Sequence, residues 1–460
     1  MFETKRRSVL KASVASFAAS AIPKWSSAQT TSYGPEDLKS TLMPLGGLRA
    51  GNAEGTIPPW TGGYSIVPMG YQQGDIRQDP FADEKPVFSI TSANVEQYQD
   101  KLPEGAGALV QKYPNFRLDV YRTHRTAVAP QYVYDNTYKN ATRAQLSADG
   151  NSVTGAYGGL PFPIPQNGHQ AMWNSILSWQ GTSIHFVSDA YTMTSAGQVV
   201  FESRAAGWEQ YPYYFENGES RFNGDIYDAL LVPLAPPYQA GGSILLQQPV
   251  NPDLTPIKSW LYLVGQRRVR KAPELQYDTP DSLTGGVVNW DEAYIYNGKF
   301  DRYDFKLIGK KEMYIPYNMN KAWNATVAEQ FMPSFFNPDI SRWELHRVWV
   351  VEMTLKPGAR NVDTRRLVYL DEDTGAAIAT DIYDSSGSLW KFAHVMPNIL
   401  PDLPCVVTHK SFAMYDLHAG NYNVSDIPNS NGAQPAYKIV PEMPTSFFTS
   451  GQLAASSGGF

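Results

Sequence analysis

Residues 260–318 read WLYLVGQRRVRKAPELQYDTPDSLTGGVVNWDEAYIYNGKFDRYDFKLIGKKEMYIPYN, and their patterning decides the fold. The stretch opens on an apolar strand signal, Trp260 to Val264, and turns at Gly265. It then presents Arg267, Arg268, Arg270 and Lys271 within five positions. Further on, Tyr303, Phe305 and Leu307 alternate with Arg302, Asp304 and Lys306, the period of a half-buried strand. Two strands of an antiparallel sheet are therefore expected, joined by an acidic and aromatic insertion that crosses the sheet. The part from Thr284 to Gly298 is expected to close one side of an apolar cavity.

Short strand signals recur around this stretch. They span Ser183 to Met193, Gln198 to Trp208, Ile244 to Gln248, Ser259 to Val264, Tyr303 to Ile308, Trp343 to Leu355, Arg365 to Leu370, Ala376 to Tyr383 and Leu389 to Val395. The turns Asp371-Glu372-Asp373-Thr374-Gly375 and Asp384-Ser385-Ser386-Gly387 place Asp and Ser ahead of a glycine able to take positive φ, so neighbouring strands pair antiparallel. Helix signals lie earlier, at Tyr33 to Leu42, Asn94 to Gln111, Tyr132 to Leu146 and His169 to Trp179. The expected class is α+β: an N-terminal helical and irregular portion over residues 29–180, a large antiparallel sheet over 181–420, and a loosely ordered tail over 421–460. With 34 Pro, 36 Gly and 13% aromatic residues, the composition suits short strands and many turns.

The first 28 residues read as an export address. Lys5-Arg6-Arg7-Ser8-Val9-Leu10-Lys11 is a twin-arginine pattern, followed by a small-residue apolar run from Ala12 to Ile22 and a Ser26-Ser27-Ala28 cleavage signal. That run falls short of the ~20 apolar residues needed to span a bilayer, so a soluble periplasmic product with no transmembrane anchor is expected. Taking five Lys/Arg and one Glu from the totals of 38 and 44 leaves 33 basic against 43 acidic residues. This balance argues against nucleic acid as a partner. The one cysteine, Cys405, excludes an intrachain disulfide and stands far from any lipidation position at a mature N-terminus.

Motifs for catalysis are missing. There is no G-x-S-x-G, no H-E-x-x-H and no glycine-rich phosphate loop, and the seven histidines are scattered. Cys405 sits among Leu403, Val406 and Val407, the setting of a buried thiol. Asp371-Glu372-Asp373 resembles the start of a calcium loop but lacks its later Gly and Glu, so it reads as a turn. No cofactor or metal is expected. What remains is a greasy pocket with a polar rim, for which the candidate residues are Tyr262, Arg267, Arg268, Arg270, Trp290, Tyr294, Tyr303, Phe305 and Trp349. A second reading, from another class, is a secreted enzyme with paired catalytic carboxylates among Asp291, Glu292, Asp301 and Asp304. Carboxylates converging in a cleft would favour it, and carboxylates held by cations would favour a structural role. A third is an assembly protein docking to an exporter through its acidic surface.

The succession from Tyr262 to Pro273, followed by GGVVNWDE (Gly285 to Glu292), resembles periplasmic proteins of the outer-membrane lipoprotein-sorting type, as do Gly51 to Gly63, Phe300 to Asn318 and Arg365 to Phe392. The resemblance is to an uncharacterised subfamily of that group. It implies a LolA/LolB-like fold, an incomplete antiparallel barrel with helices over its concave, apolar side. It also implies a carrier or adaptor for a lipid or other hydrophobic molecule, working beside an RND-type exporter or outer-membrane protein. This chain is about twice the length expected of the lipoprotein carriers.

Overall fold

The computed structural model describes residues 33–273, 275, 277–428 and 437–456; residues 1–28, expected to be an export address, lie outside them. Among the described residues, sixteen strands join in one sheet. Two meanders build most of it. The first runs β3 (Ser183–Met193), β4 (Val199–Gln210), β5 (Asp225–Ala235), β6 (Ser243–Pro249), β7 (Lys258–Leu263) and β8 (Arg268–Lys271), each antiparallel to the next, after the hairpin β1 (Phe88–Ile90) and β2 (Leu118–Val120). The second runs β9 (Tyr303–Pro316), β10 (Trp343–Leu355), β11 (Arg365–Asp371), β12 (Ala377–Tyr383), β13 (Leu389–Val395), β14 (Phe412–Asp416) and β15 (Asn421–Ile427).

The meanders meet where β15 pairs with β3, Tyr422 opposite Met193 and Val424 opposite Tyr191. Strand β16 (Tyr437–Ile439) takes the rest of that edge of β3, and β2 adds to the start of β10. The edge strands of the two meanders are therefore β8 at one end and β9 at the other. They are not paired with each other, and the sheet stays open.

This topology decides what residues 272–302 must do. Consecutive in sequence but at opposite edges of the sheet, β8 and β9 can be connected only across a face. The connection, called the strap below, includes three short 3-10 turns, Ser282–Thr284, Trp290–Glu292 and Phe300–Arg302. It is held to strands that are not neighbours: Ser203 of β4, Arg366 of β11, Lys391 of β13 and Asp426 of β15. One segment reaching all four requires the sheet to curve around it. Strand register places Phe186, Ser188 and Ala190 of β3 on this inner face, with Ser203 and Ala205 of β4 and Ala229 and Leu231 of β5.

Helices cover parts of both faces. α1 (Glu104–Lys112) stands with its first two backbone N–H groups, those of Glu104 and Gly105, donating to Asp381 at 2.8 Å each. A carboxylate suits a helix N-terminus, where N–H groups lack partners. Asp381 shares its face with Tyr369, whose hydroxyl donates to it, whereas the strap meets Arg366 and Lys391 on the other face. α2 (Gln131–Arg143) precedes α3 (Gly168–Ile176), whose last residue, Ile176, reaches the inner face.

Strands read from alternation agree closely with those observed at 183–193, 343–355 and 389–395. Strand β5 is not legible in the sequence because Pro233 breaks its pattern; it falls beside a bulge opposite Ala205, where the missing N–H is tolerated. The tail is corrected. Instead of being loosely ordered from 421, it supplies β15 and β16 to the sheet and a helix, α4, at Ser450–Ser456 that packs near β6 to β8. Its many polar residues hide apolar anchors such as Phe448 and Leu453, both buried.

Candidate ligand cavity under the strap

Between the strap and the inner face lies a cavity of about 120 Å³. Its apolar wall comes from Phe186, Ala205, Leu231, Leu246 and Phe412 on the sheet, with Ile176 from α3. Its roof comes from Leu283, Trp290, Tyr294 and Tyr296 on the strap. The strap makes an unusual bend to place them: Tyr294 and Ile295 both have positive φ, +50° and +79°, a conformation that a β-branched residue rarely holds without surrounding contacts to enforce it. Ile295 is fully buried, which is how the bend is kept.

Two interior ion pairs pin the roof. Lys391 donates to both carboxylate oxygens of Glu292 at 2.9 Å and to the Val287 carbonyl at 3.2 Å. Arg366, with no exposed surface, reaches Asp291 at 3.1 Å while its other side grips Asp363. Burial pushes the Asp291 and Glu292 carboxyls up, and Arg366 and Lys391 respectively pull them back down. Glu292 also accepts the backbone N–H of Asn289 at 2.8 Å, closing the 3-10 turn on itself.

The cavity's polar lining is acidic. Asp189 is forked by Arg204 at 2.7 Å, and Glu209 accepts from Lys410 at 2.7 Å and from the Tyr211 hydroxyl at 3.0 Å. Asp426 accepts the hydroxyls of Tyr294 at 2.6 Å and Ser188 at 2.7 Å. Asp281 accepts the Leu283 backbone N–H at 2.9 Å. Walled in by protein while keeping some surface toward the cavity, Asp281 is pushed up to about 7 by burial, with the Asp426 charge adding to it. Burial holds His409, also in the lining, at about 3, so its ring is neutral near pH 7.

The structure sorts the candidate residues. Trp290 and Tyr294 line the cavity. Tyr303 and Phe305 are buried at the strap's root, each within 6.5 Å of the Tyr296 ring. Neither these two nor the other five belong to the lining, which corrects the rim reading. Tyr262 points from β7 to the opposite face, packing with Trp260 and Val269 near Phe448. Arg267, Arg268 and Arg270 are exposed on the β7–β8 hairpin at the sheet's edge, with Arg267 in a left-handed turn. Trp349 lies half-buried under the Lys310 ammonium, 4.4 Å from it.

The proposed carboxylate pairs do not converge in a cleft. Asp291 and Glu292 are bound by Arg366 and Lys391, Asp301 accepts the Tyr277 hydroxyl at 2.9 Å, and Asp304 is exposed on β9. His346, Asp371 and Asp373 bring ligand-type atoms within 4.8 Å of one another. Their acceptors are already taken: Arg125 forks Asp373 at 2.6 and 2.8 Å, and Asp371 accepts from Tyr317 and Thr374.

The residues that the sequence reading missed are Arg366, Lys391, Lys410, Glu209, Asp281 and Asp426. For the first two a signal existed: each interrupts an otherwise apolar strand face, and a buried charge at such a place needs a partner of opposite sign.

The open, curved sheet with a strap closing a small amphipathic cavity defines a strapped half-barrel fold. Residues 89–454 match the model of the family described as "Protein of unknown function (DUF1329)", and the chain belongs to that family. It is 38% identical over 393 residues to the uncharacterized protein PA3922 of Pseudomonas aeruginosa, with 84% of this chain and 85% of that one covered. Among solved structures, a DUF1329 family protein from Desulfovibrio piger aligns with 62% of this chain and 95% of its own at 13% identity, TM-score 0.40. A putative outer membrane lipoprotein-sorting protein domain from Vibrio parahaemolyticus covers 62% and 96% at 13% identity, TM-score 0.42.

Proposed function

We propose that this protein is a periplasmic carrier or adaptor that holds a hydrophobic molecule beneath the strap. The observation that carries the reading is the strap itself. A covalent segment roofs the inner face of an open sheet, and the space beneath it is lined by aromatic and aliphatic side chains. Pockets for small hydrophobic molecules have this makeup, an apolar wall with a few placed polar groups.

The size of the space bounds the mechanism. About 120 Å³ is comparable with the ~150 Å³ apolar cavity that accepts one benzene. The closed form therefore accommodates a ring or a short aliphatic segment, and a longer chain enters only if the strap lifts. Apolar burial at ~25 cal/mol per Å² supplies the affinity without a catalytic constellation. Transfer to or from an exporter or an outer-membrane protein is the setting in which such a carrier works. Among the described residues no helix is long and apolar enough to cross a membrane.

The test is to purify the protein from its native periplasm and identify bound molecules by native mass spectrometry and organic extraction. A stoichiometric hydrophobe is expected. Protein that is always empty, and that takes up no hydrophobic dye, would overturn the reading.

A further inference from the structure

We infer that the cavity selects a hydrophobic molecule whose buried end donates hydrogen bonds, an ammonium or a hydroxyl, and rejects one ending in a carboxylate or phosphate, with Asp281 as the receiving group. The inference rests on the carrier reading and narrows its ligand.

The charges facing the cavity carry it. Four carboxylates belong to the lining, Asp189, Glu209, Asp281 and Asp426, and no Lys or Arg does. Arg204 and Lys410 answer the first two from behind the wall, each at 2.7 Å. Among the described residues Asp426 has no cation within ion-pair distance; the hydroxyls of Tyr294, which itself accepts from Lys410 at 3.2 Å, and of Ser188 donate to its two oxygens. Asp281 is left with a single donor, the backbone N–H of Leu283, on Oδ1. Among the described residues no cation comes within ion-pair distance of it, and Oδ2 has no donor from the protein.

A carboxylate this enclosed gains from a donor brought by the ligand, because an unmet polar group away from bulk water is costly and a charge-assisted bond is strong. An anionic end would instead add a third uncompensated negative charge beside Asp281 and Asp426. The cationic cluster that could have received an anion, Arg267 to Lys271, is exposed on the far hairpin and does not reach the cavity.

Full mature protein is loaded with the neutral dye N-phenyl-1-naphthylamine, which is then displaced by dodecylamine, dodecanol or dodecanoate at pH 7.5. The amine and the acid share one chain length and one unit of charge, so their ratio isolates the end group. Dodecylamine is expected to displace at least tenfold more strongly than dodecanoate, with dodecanol also ahead of the acid. Asp281→Asn keeps an acceptor for the Leu283 N–H, and in it the amine-to-acid ratio should collapse toward unity. Dodecanoate matching or exceeding the amine on the wild-type protein overturns the selectivity. An unchanged ratio in the Asn variant overturns the role of Asp281. Should that variant fail to fold, the wild-type ratio alone decides. Absence of all binding, dye included, overturns the carrier reading and this inference with it.

Discussion

Lys391 Nζ lies 2.9 Å from both carboxylate oxygens of Glu292, joining a strand in the middle of the sheet to the strap that crosses it, in a place where the Lys side chain is 4% exposed and the Glu side chain 0%. Such a pair need not stabilise the fold relative to apolar residues, yet removing one partner strands the other. Lys391→Met should therefore lower unfolding stability by about 3–5 kcal/mol. The double variant Lys391→Met with Glu292→Gln should recover more than half of that loss in urea titrations. Additive losses would show that the two groups do not compensate each other.

Releasing the strap should also change traffic. Asp291→Asn removes the charge that Arg366 grips at 3.1 Å while keeping the residue's shape. On the carrier reading the strap lifts to admit ligand and this pin breaks, so the variant should take up a hydrophobic dye faster, by severalfold, in stopped-flow fluorescence. Uptake at the wild-type rate would mean that the strap does not lift there.

Asp228, buried on β5 beside Asp225, is pushed up to about 7 by burial and then by the Asp225 charge, while the Gln247 amide bond opposes the shift. A carboxyl whose folded pKa lies above its unfolded value binds its proton more tightly when folded. Stability therefore falls as pH rises from about 4 to about 7 and levels off beyond. Asp228→Asn should flatten that part of the profile and be the more stable protein at pH 8. The check is urea midpoints at pH 5 and pH 8 for both proteins.

Gly207 on β4 faces the ring of Phe186, which lines the cavity; a Cβ there would come within 2.1 Å of that ring. Gly207→Ala should cost about 1–3 kcal/mol by overpacking and should weaken dye binding, since the ring must move toward the cavity. Thermal melts and dye titration read the two effects separately.

Cys405 is fully buried, its thiol donates to the Trp179 carbonyl at 3.3 Å, and burial pushes its pKa far up. It should resist iodoacetamide in the native protein and react once the protein is unfolded, as followed by mass.

Much of the sheet was legible because alternation is a local property. Trp343 to Leu355 alternates with a break at Arg347 and forms one strand with those bounds. The same strand also marks where legibility ends. Its second face opens on Glu344 and His346, polar residues that are nonetheless buried: Arg342 binds Glu344 at 2.5 Å, and His346 stacks on Tyr317. Whether a charged group is buried is decided by what packs on it from elsewhere in the chain, as with Arg125 and Asp373, 248 positions apart, and no local window contains both.

Residues 260–318 by themselves determined two strands and a crossing segment, because side-chain period and turn chemistry act over a few residues. Only the tertiary structure decided what the crossing segment meets. Its acids found Arg366 and Lys391, its aromatics roofed a cavity of about 120 Å³, and the arginines before it stayed outside in solvent. The reason is topological: β8 and β9 are consecutive in the chain yet stand at opposite edges of the open sheet, so the peptide between them has to traverse the inner face.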